Sequence, residues 1–220
     1  MTSGSSPRNH GRADVPEVVV ARLPQYVRIL SRLRENGAEV VSSHQLGDRL
    51  QVTPAQIRKD LSYFGRFGKQ GRGYDVVNLL DRLKEILGLN DQWNVAVVGV
   101  GRLGRAILSY PGFTPDGFRL VAAFDGDDKV IGETVAGLVV QPMDRLDEIV
   151  KGEAISIAIV AVPVDRTQRV IDHLMECGVQ AILNYAPIAP QVLPGVRIRN
   201  IDPVLSLQSM TYYLGGEGDA

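Results

Sequence analysis

The chain has 220 residues, of which 45% are hydrophobic and 22% charged, which is the composition of an ordinary globular protein. No apolar run reaches the roughly 18 residues that a membrane span needs, so no membrane partner is expected. Residues 1–15 are polar and lack the apolar core of a secretory signal, and we predict a disordered tail there. The single cysteine excludes an internal disulfide and favours a cytoplasmic location.

Charge is distributed unevenly along the chain, although the formal net charge is only −1. Residues 17–90 contain 12 Lys and Arg against 8 Asp and Glu, whereas residues 91–220 contain 10 against 16. A basic first third followed by an acidic remainder predicts that only the first third contacts a polyanion. We predict one domain over residues 16–88, a second over residues 89–201 and a terminal helix with a tail over residues 202–220.

The first third has the spacing of helices. Apolar residues recur at helical spacing over residues 26–33, after Pro24, which we place in a first helical turn. The pairs Ser42–Gln45 and Thr53–Gln56 each have the capping-box spacing that begins a helix, and a three-residue turn separates the two helices. The third helix is expected to end at Gly65. This succession predicts a helix-turn-helix.

The third helix has a basic face opposite its apolar one. Ile57 and Leu61 share a narrow sector of the helix, and Arg58 and Lys59 lie on the other side beside small residues, as a helix that reads the major groove requires. The glycine-rich loop over residues 65–73 is basic and predicts a wing on the DNA backbone. A solvated basic face is the alternative. The predicted DNA-binding residues are Ser43, Thr53, Ala55, Gln56, Arg58, Lys59, Ser62, Tyr63, Arg66, Lys69 and Arg72.

The pattern changes after Trp93, where short β-branched runs alternate with helical segments. This alternation predicts a Rossmann-like α/β domain with a parallel sheet covered on both faces. Residues 203–214 form a further apolar helix, which must pack against its own domain or against a partner subunit. The predicted strands are residues 95–98, 120–124, 138–140, 155–160, 181–183 and 196–198.

The first of these strands leads into the glycine pattern of a dinucleotide-binding loop, from Gly99 through Gly101 to Gly104. Asp125 follows the next strand, 21 residues beyond Gly104, where a carboxylate favours NAD over NADP by repelling a 2′-phosphate. The alternative for Asp125 is an acid that caps the next turn, and for the later strand ends it is ordinary proline-ended loops. The predicted cofactor-binding residues are Gly99, Val100, Gly101, Arg102, Leu103, Gly104, Asp125, Lys129, Val162, Pro163, Asn184, Tyr185, Ala186 and Pro187.

No catalytic residue and no metal site are predicted. The three histidines, His10, His44 and His173, are scattered without ligand spacing, and Cys177 ends a helix outside any evidently electropositive pocket. A dehydrogenase needs a proton donor or acceptor beside the nicotinamide, and none is evident. We therefore expect NAD to be sensed rather than used. An NAD-dependent oxidoreductase with an added helical domain, or a CoA- or nucleotide-binding Rossmann module, is the alternative.

The whole pattern resembles the redox-sensing transcriptional repressor Rex family, from about residue 16 to residue 214. The long string over the third helix is far more specific than the glycine pattern. The segments that carry the resemblance are Arg22–Tyr26, Ile57–Gly65, Gly71–Tyr74, Gly99–Gly104, Tyr110–Phe113 and Leu183–Pro187.

The resemblance implies a homodimer that represses transcription from palindromic operator DNA, with NADH releasing it and NAD⁺ allowing binding. It implies that the C-terminal helix swaps into the partner subunit. It also implies that Arg28, Tyr110 and Asp202 form a polar switch near the nicotinamide. One departure is Pro203, since some relatives have an aromatic residue at that position.

Overall fold

A computed structural model describes residues 15–69 and 72–214, which form two compact units divided between Asn90 and Asp91. Each unit has its own apolar core. The predicted tail over residues 1–15 lies, apart from Val15, outside the described residues, as does the segment after Leu214.

The first unit is a winged helix-turn-helix. Its three short strands form an antiparallel sheet in the order β1-β3-β2, and its helices pack on a common core. The elements in chain order are α1 (Glu17–Glu35), β1 (Val40–Val41), α2 (Ser43–Leu50), α3 (Pro54–Ser62), β2 (Gly68–Lys69), β3 (Gly73–Asp75) and α4 (Val76–Leu87).

The position of Pro24 in α1 differs from the prediction. We expected Pro24 in the first helical turn, but α1 begins at Glu17 and Pro24 lies inside it. An interior proline removes one backbone hydrogen bond and costs about 3 kcal/mol. Leu23, Tyr26 and Leu30 are at most 1% exposed, and the burial of these side chains against the core keeps α1 continuous across the proline.

The helix-turn-helix is defined by its caps. Both bonds of the predicted box at Ser42 and Gln45 are present, whereas at the start of α3 only the Thr53 side chain accepts its bond, from the Gln56 N–H at 3.2 Å. Between the helices, Gln51 adopts a left-handed conformation with φ 56°. The third helix ends at Ser62 rather than at the predicted Gly65, because Phe64 bonds back to Leu61 in a tighter turn.

The second unit is a Rossmann-like domain. Its seven-stranded sheet has the order β10-β9-β8-β4-β5-β7-β6 and is parallel except for β6. The elements are β4 (Trp93–Val98), α5 (Arg102–Leu108), β5 (Phe118–Asp125), β6 (Thr134–Val135), β7 (Leu138–Pro142), α6 (Leu146–Gly152), β8 (Ile157–Val160), α7 (Val164–Glu176), β9 (Ala181–Asn184), β10 (Arg197–Asn200) and α8 (Pro203–Leu214).

The winding of this sheet reverses at β4, which pairs with β5 on one side and with β8 on the other. In open α/β sheets, ligands bind at the carboxyl ends of the strands beside such a reversal. The loops after β4, β5 and β8 are therefore the expected ligand-binding site.

The last helix, α8, spans Pro203–Leu214 as predicted, and all of its residues are exposed. Seven of them are large apolar residues between 56% and 81% exposed. Within the described residues, no helix is long and apolar enough to cross a membrane.

Candidate DNA-reading surface and dinucleotide pocket

Helix α3 has one buried face and one exposed basic face. Ile57 and Leu61 are at most 3% exposed within the core, whereas Arg58 and Lys59 are exposed on the opposite side. The Arg58 guanidinium donates a hydrogen bond to the Ser43 hydroxyl of α2 at 3.0 Å. The structure thus brings two predicted DNA-binding residues together and orients the arginine across the two helices.

A buried carboxylate fixes α3 on α1. Asp60 is 0% exposed and accepts hydrogen bonds from Arg22 Nε at 2.6 Å and Arg22 Nη2 at 2.7 Å. Tyr26 donates its hydroxyl to the same carboxylate at 2.5 Å, and Gln56 donates its amide at 2.6 Å. We call these four residues the Asp60 network. The bidentate arginine sets both the rotation and the position of α3.

The Asp60 network also shifts the pKa values of its members. Burial alone raises the pKa of Asp60, but the hydrogen bonds from Arg22, Tyr26 and Gln56 outweigh it and hold the pKa below its ordinary value. Burial, together with the Asp60 charge, raises the pKa of Tyr26 above its ordinary value. The Asp60 carboxylate is therefore charged and the tyrosine neutral at physiological pH.

The other predicted DNA-binding residues fall into three groups. Most are exposed, and these are Thr53, Ala55, Ser62, Tyr63, Arg66 and Arg72. Gln56 is half-buried and its side chain binds Asp60, so it supports α3 from within. Lys69 lies on β2, and its side chain is outside the described residues.

The carboxyl ends of β4, β5 and β8 surround a pocket of about 540 Å³. That volume is within the usual range for small-molecule sites, about 300–1,000 Å³. The pocket combines apolar walls, a glycine loop and one acidic corner. The predicted residues that line it are Gly99, Gly101, Arg102, Leu103, Asp125, Val162 and Pro163.

The glycine loop shows why its positions exclude side chains. A Cβ added at Gly104 would lie 1.9 Å from the Gly99 carbonyl oxygen, so this glycine lets α5 pack on the end of β4. A Cβ at Gly101 would meet nothing within 4 Å, and Gly101 lines the pocket. The bare backbone of Gly101 leaves room for a phosphate to approach the amino end of α5.

Asp125 ends β5 at the acidic corner of the pocket. Its carboxylate accepts hydrogen bonds from the Val100 N–H at 2.6 Å and from the Asp127 N–H at 2.9 Å. The turn-capping alternative is therefore present, but each carboxylate oxygen has further lone pairs. The residues present fit an adenosine dinucleotide, because the pocket offers a phosphate cradle at Gly101 and an acceptor for ribose hydroxyls at Asp125.

Both units match known protein families. Residues 14–62 match the family described as "Putative DNA-binding protein N-terminus", and residues 90–188 match the "CoA binding domain". The chain is 54% identical over 202 residues to the redox-sensing transcriptional repressor Rex of Chloroflexus aggregans, covering 92% of this chain and 95% of the relative. It is 53% identical over 199 residues to the Rex protein of a Roseiflexus species, covering 90% of each. The chain belongs to the Rex family.

Solved Rex-family structures have the same fold. The crystal structure of RSP in complex with β-NAD⁺ and operator DNA matches with a TM-score of 0.89 at 35% identity, over 94% of this chain and 95% of that one. RSP in complex with β-NADH matches with a TM-score of 0.84 at 33% identity, over 94% and 97%. The family and the α/β fold with a Rossmann-like parallel sheet are confirmed, whereas the swap of the C-terminal helix stays a prediction.

Several of the predicted cofactor-binding residues do not line this pocket. Asn184 is 0% exposed. Its side-chain NH2 donates to the Ala186 carbonyl at 3.0 Å and to Asn200 Oδ1 at 2.9 Å, and its Oδ1 accepts from the Ala186 N–H at 3.0 Å. Val100 and Ala186 are buried as well. The residues that do not line the pocket are Val100, Gly104, Lys129, Asn184, Tyr185, Ala186 and Pro187.

Part of the pocket wall was not predicted from the sequence. Arg166, in the first turn of α7, lines the pocket, and its guanidinium lies 3.8 Å from the Cβ position of Gly126. Val130 and Met143 complete the wall with apolar surface. Their positions follow from loops and turns whose course the strand pattern does not predict.

The residues assigned to the switch lie on different elements. Arg28 is on α1, and Tyr110, after α5, is 60% exposed with its ring edge-to-face against Phe113 at a centroid distance of 5.6 Å. Asp202 precedes α8 and accepts a bond from the Val204 N–H at 2.9 Å. Asp202 therefore caps α8 within its own chain.

Cys177 ends α7 and is 6% exposed. Burial, with a smaller effect from Asp147, raises the pKa of Cys177 to about 11, so the thiol is protonated and a poor nucleophile. His173, one helical turn earlier, lies within 4.8 Å of both Cys177 and Asp147 at its ligating atoms. Sequence spacing did not reveal this proximity, because Asp147 comes from another helix.

Proposed function

We propose that this chain is a cytoplasmic transcriptional repressor that binds palindromic operator DNA as a homodimer and is released by NADH. It then senses the cellular ratio of NADH to NAD⁺. The observation that carries the proposal is the presence, in one Rex-family chain, of an exposed basic recognition helix and a glycine-lined pocket with Asp125 at its corner.

The DNA-reading role rests on the exposed face of α3. Arg58 is held across α2 and α3 by Ser43, and a preorganised guanidinium loses less side-chain entropy on binding a guanine edge. Lys59 reaches the phosphate backbone beside it, and Arg66 and Arg72 extend the basic surface along the wing. Their exposure leaves the cations available to DNA.

The sensing role rests on the character of the pocket. NAD⁺ and NADH differ in the positive charge of the nicotinamide ring, and an apolar wall accepts the neutral ring more readily because burial of an unpaired charge is costly. Ala161, Val162 and Pro163, which follow β8 on the side of the pocket away from Asp125, supply such a wall. If the operator-binding form and the released form of the dimer differ by about 3 kcal/mol in their affinity for NADH, the cofactor changes operator affinity by roughly 150-fold.

The proposed dimer accounts for the exposed apolar surface of α8. An exposed helix with seven large apolar residues needs a covering surface, and a swap into the Rossmann-like unit of the partner supplies one. Asp202 stands at the start of α8. In the proposed switch, Asp202 exchanges partners between Arg28 in one state and Tyr110 in the other.

A CoA-binding module is the second candidate, because residues 90–188 match a family described by that ligand. The position of Asp125 argues against it, since CoA carries a phosphate on its adenosine ribose and a carboxylate at that corner repels it. Titration calorimetry with NADH, NADPH and CoA separates the candidates. Tight binding of NADH alone supports the sensor, and equal binding of NADPH or CoA contradicts it.

The decisive test is operator binding as a function of cofactor. A duplex selected by the chain from a random pool in the presence of NAD⁺ should contain inverted half-sites, as a two-fold dimer requires. Fluorescence anisotropy should show that NADH weakens binding to this duplex and that NAD⁺ does not. Equal operator affinity in the presence of NADH and of NAD⁺ would refute the proposed function. A substrate screen with NADH and small carbonyls addresses the oxidoreductase alternative.

A further inference from the structure

Three side chains that can act as metal ligands lie close together near the surface of the second unit. The carboxylate of Asp147 on α6, the imidazole of His173 on α7 and the thiol of Cys177 at the end of α7 all lie within 4.8 Å of one another at their ligating atoms. We call these residues the α6–α7 cluster. Their exposure is graded, from exposed Asp147 through half-buried His173 to buried Cys177.

The α6–α7 cluster does not belong to the dinucleotide pocket. Helix α7 starts at Val164, beside the pocket-lining Pro163, and runs for 13 residues. The pocket wall reaches Val170 on this helix, and at 1.5 Å per residue Cys177 lies about 10 Å beyond Val170 along the helix axis. Cys177 lies at the far end of α7, on the edge of the sheet opposite the ligand-binding edge.

The donor set favours zinc. A thiolate, an imidazole and a carboxylate are the ligands that zinc takes in proteins, at bond lengths of about 2.0–2.3 Å. In a tetrahedral site, ligands at these bond lengths lie roughly 3–4 Å apart. The ligating atoms of the cluster lie within 4.8 Å of one another, at most about 1 Å beyond that spacing, and the Asp147 side chain is exposed.

We propose that Asp147, His173 and Cys177 bind one Zn²⁺ ion, with water as the fourth ligand. The i,i+4 spacing of His173 and Cys177 puts both on one face of α7, and Asp147 comes to them from α6. The ion displaces the thiol proton to solvent and joins α6 to α7. It is a structural clamp on the second unit and is independent of operator and dinucleotide binding.

Lys151 provides an internal competitor. Its ammonium lies 2.9 Å from Asp147 Oδ1, so it already neutralises one ligand of the proposed site. Binding of Zn²⁺ requires this ammonium to move away. Lys151→Ala should therefore increase zinc affinity. Replacement of a basic residue that does not contact the α6–α7 cluster should leave zinc affinity unchanged.

The test uses the full chain without an affinity tag. Addition of Co²⁺ should give one equivalent of bound ion with a thiolate-to-cobalt charge-transfer band in the near ultraviolet, and Zn²⁺ should abolish the band. Calorimetric zinc affinity should fall at least about 100-fold in His173→Ala, since even outer-shell changes cost 10–100-fold. Cys177→Ser should lose the charge-transfer band.

His44→Ala is the matched control, because His44 also lies four residues from an acid, Asp48, at 3.0 Å, but on an exposed face without a thiol. Its zinc affinity should equal that of the parent chain. If Cys177→Ser does not fold, the exposed Asp147→Ala variant tests the same site. Absence of the cobalt band in the parent chain, or equal zinc affinity in His173→Ala, would overturn the proposal.

Discussion

The Asp60 network should be the dominant polar contribution to the stability of the first unit. Asp60→Ala leaves the Arg22 guanidinium and the Tyr26 hydroxyl without their carboxylate partner. Loss of one partner from a buried charge pair costs about 3–5 kcal/mol, and the 21% exposure of the Arg22 side chain puts the value near the lower end. A loss of about 3 kcal/mol lowers the melting temperature of a unit of this size by roughly 12 °C or more.

The two units can be followed separately. The only tryptophan, Trp93, begins β4, so its fluorescence reports the second unit. Helical circular dichroism of Asp60→Ala should show an early transition, while the tryptophan transition is unchanged. Asp48→Ala is the control, since it removes an exposed acid and should change stability by no more than about 0.5 kcal/mol. An Asp60→Ala chain as stable as this control would refute the reasoning.

The same network predicts a pH dependence. The pKa of Asp60 is lowered on folding from its ordinary value of 3.8, so its stabilisation is complete above that value. It is lost as the pH falls through the lowered pKa of the folded state. Stability of the parent chain should therefore fall more steeply with acid below about pH 4 than that of Asp60→Asn. Parallel acid titrations by circular dichroism measure the difference, and identical slopes would mean that the Asp60 carboxylate is not the cause.

Three further predictions concern the sites. Arg58→Ala should weaken operator binding about 5- to 150-fold without changing its salt dependence, because a base contact is lost. Lys59→Ala should reduce the slope of log affinity against log salt concentration by about one, because a phosphate contact is lost. Gly101→Val should abolish NADH binding in calorimetry but keep the melting temperature, because no atom lies within 4 Å of the new Cβ. Asp202→Ala should keep operator binding and lose the NADH response in anisotropy; a retained response removes Asp202 from the switch.

Local patterns predicted the start and end of many elements. Ser42 forms both bonds of its capping box, and α8 spans Pro203–Leu214 as its apolar spacing indicates. The end of α4 at Leu87 follows from Gly88, which takes the left-handed cap conformation. These features depend on interactions within one or two helical turns, so a single sequence contains the information they need.

Contacts between distant residues were not predictable in this way. Gln56 was expected to complete a capping box, but its amide binds Asp60, whose other partners Arg22 and Tyr26 lie 38 and 34 residues away. The Asn184 amide bonds Ala186, Ile188 and Asn200, contacts that the sequence did not reveal, and its predicted role in cofactor binding stays a prediction. Side-chain direction at a buried position is decided by tertiary neighbours, which spacing along the chain does not reveal.

The exposure of α8 has a consequence for how the protein responds to its own abundance. A separate helix of twelve residues is marginal in water, so α8 gains its order from whatever molecule covers it. If a second copy covers α8, folding of the C-terminal segment becomes a bimolecular equilibrium and shifts with total concentration. Dilution should then loosen the segment before any nucleotide is added, and the copy number of the protein would set its output alongside the redox state of the cell.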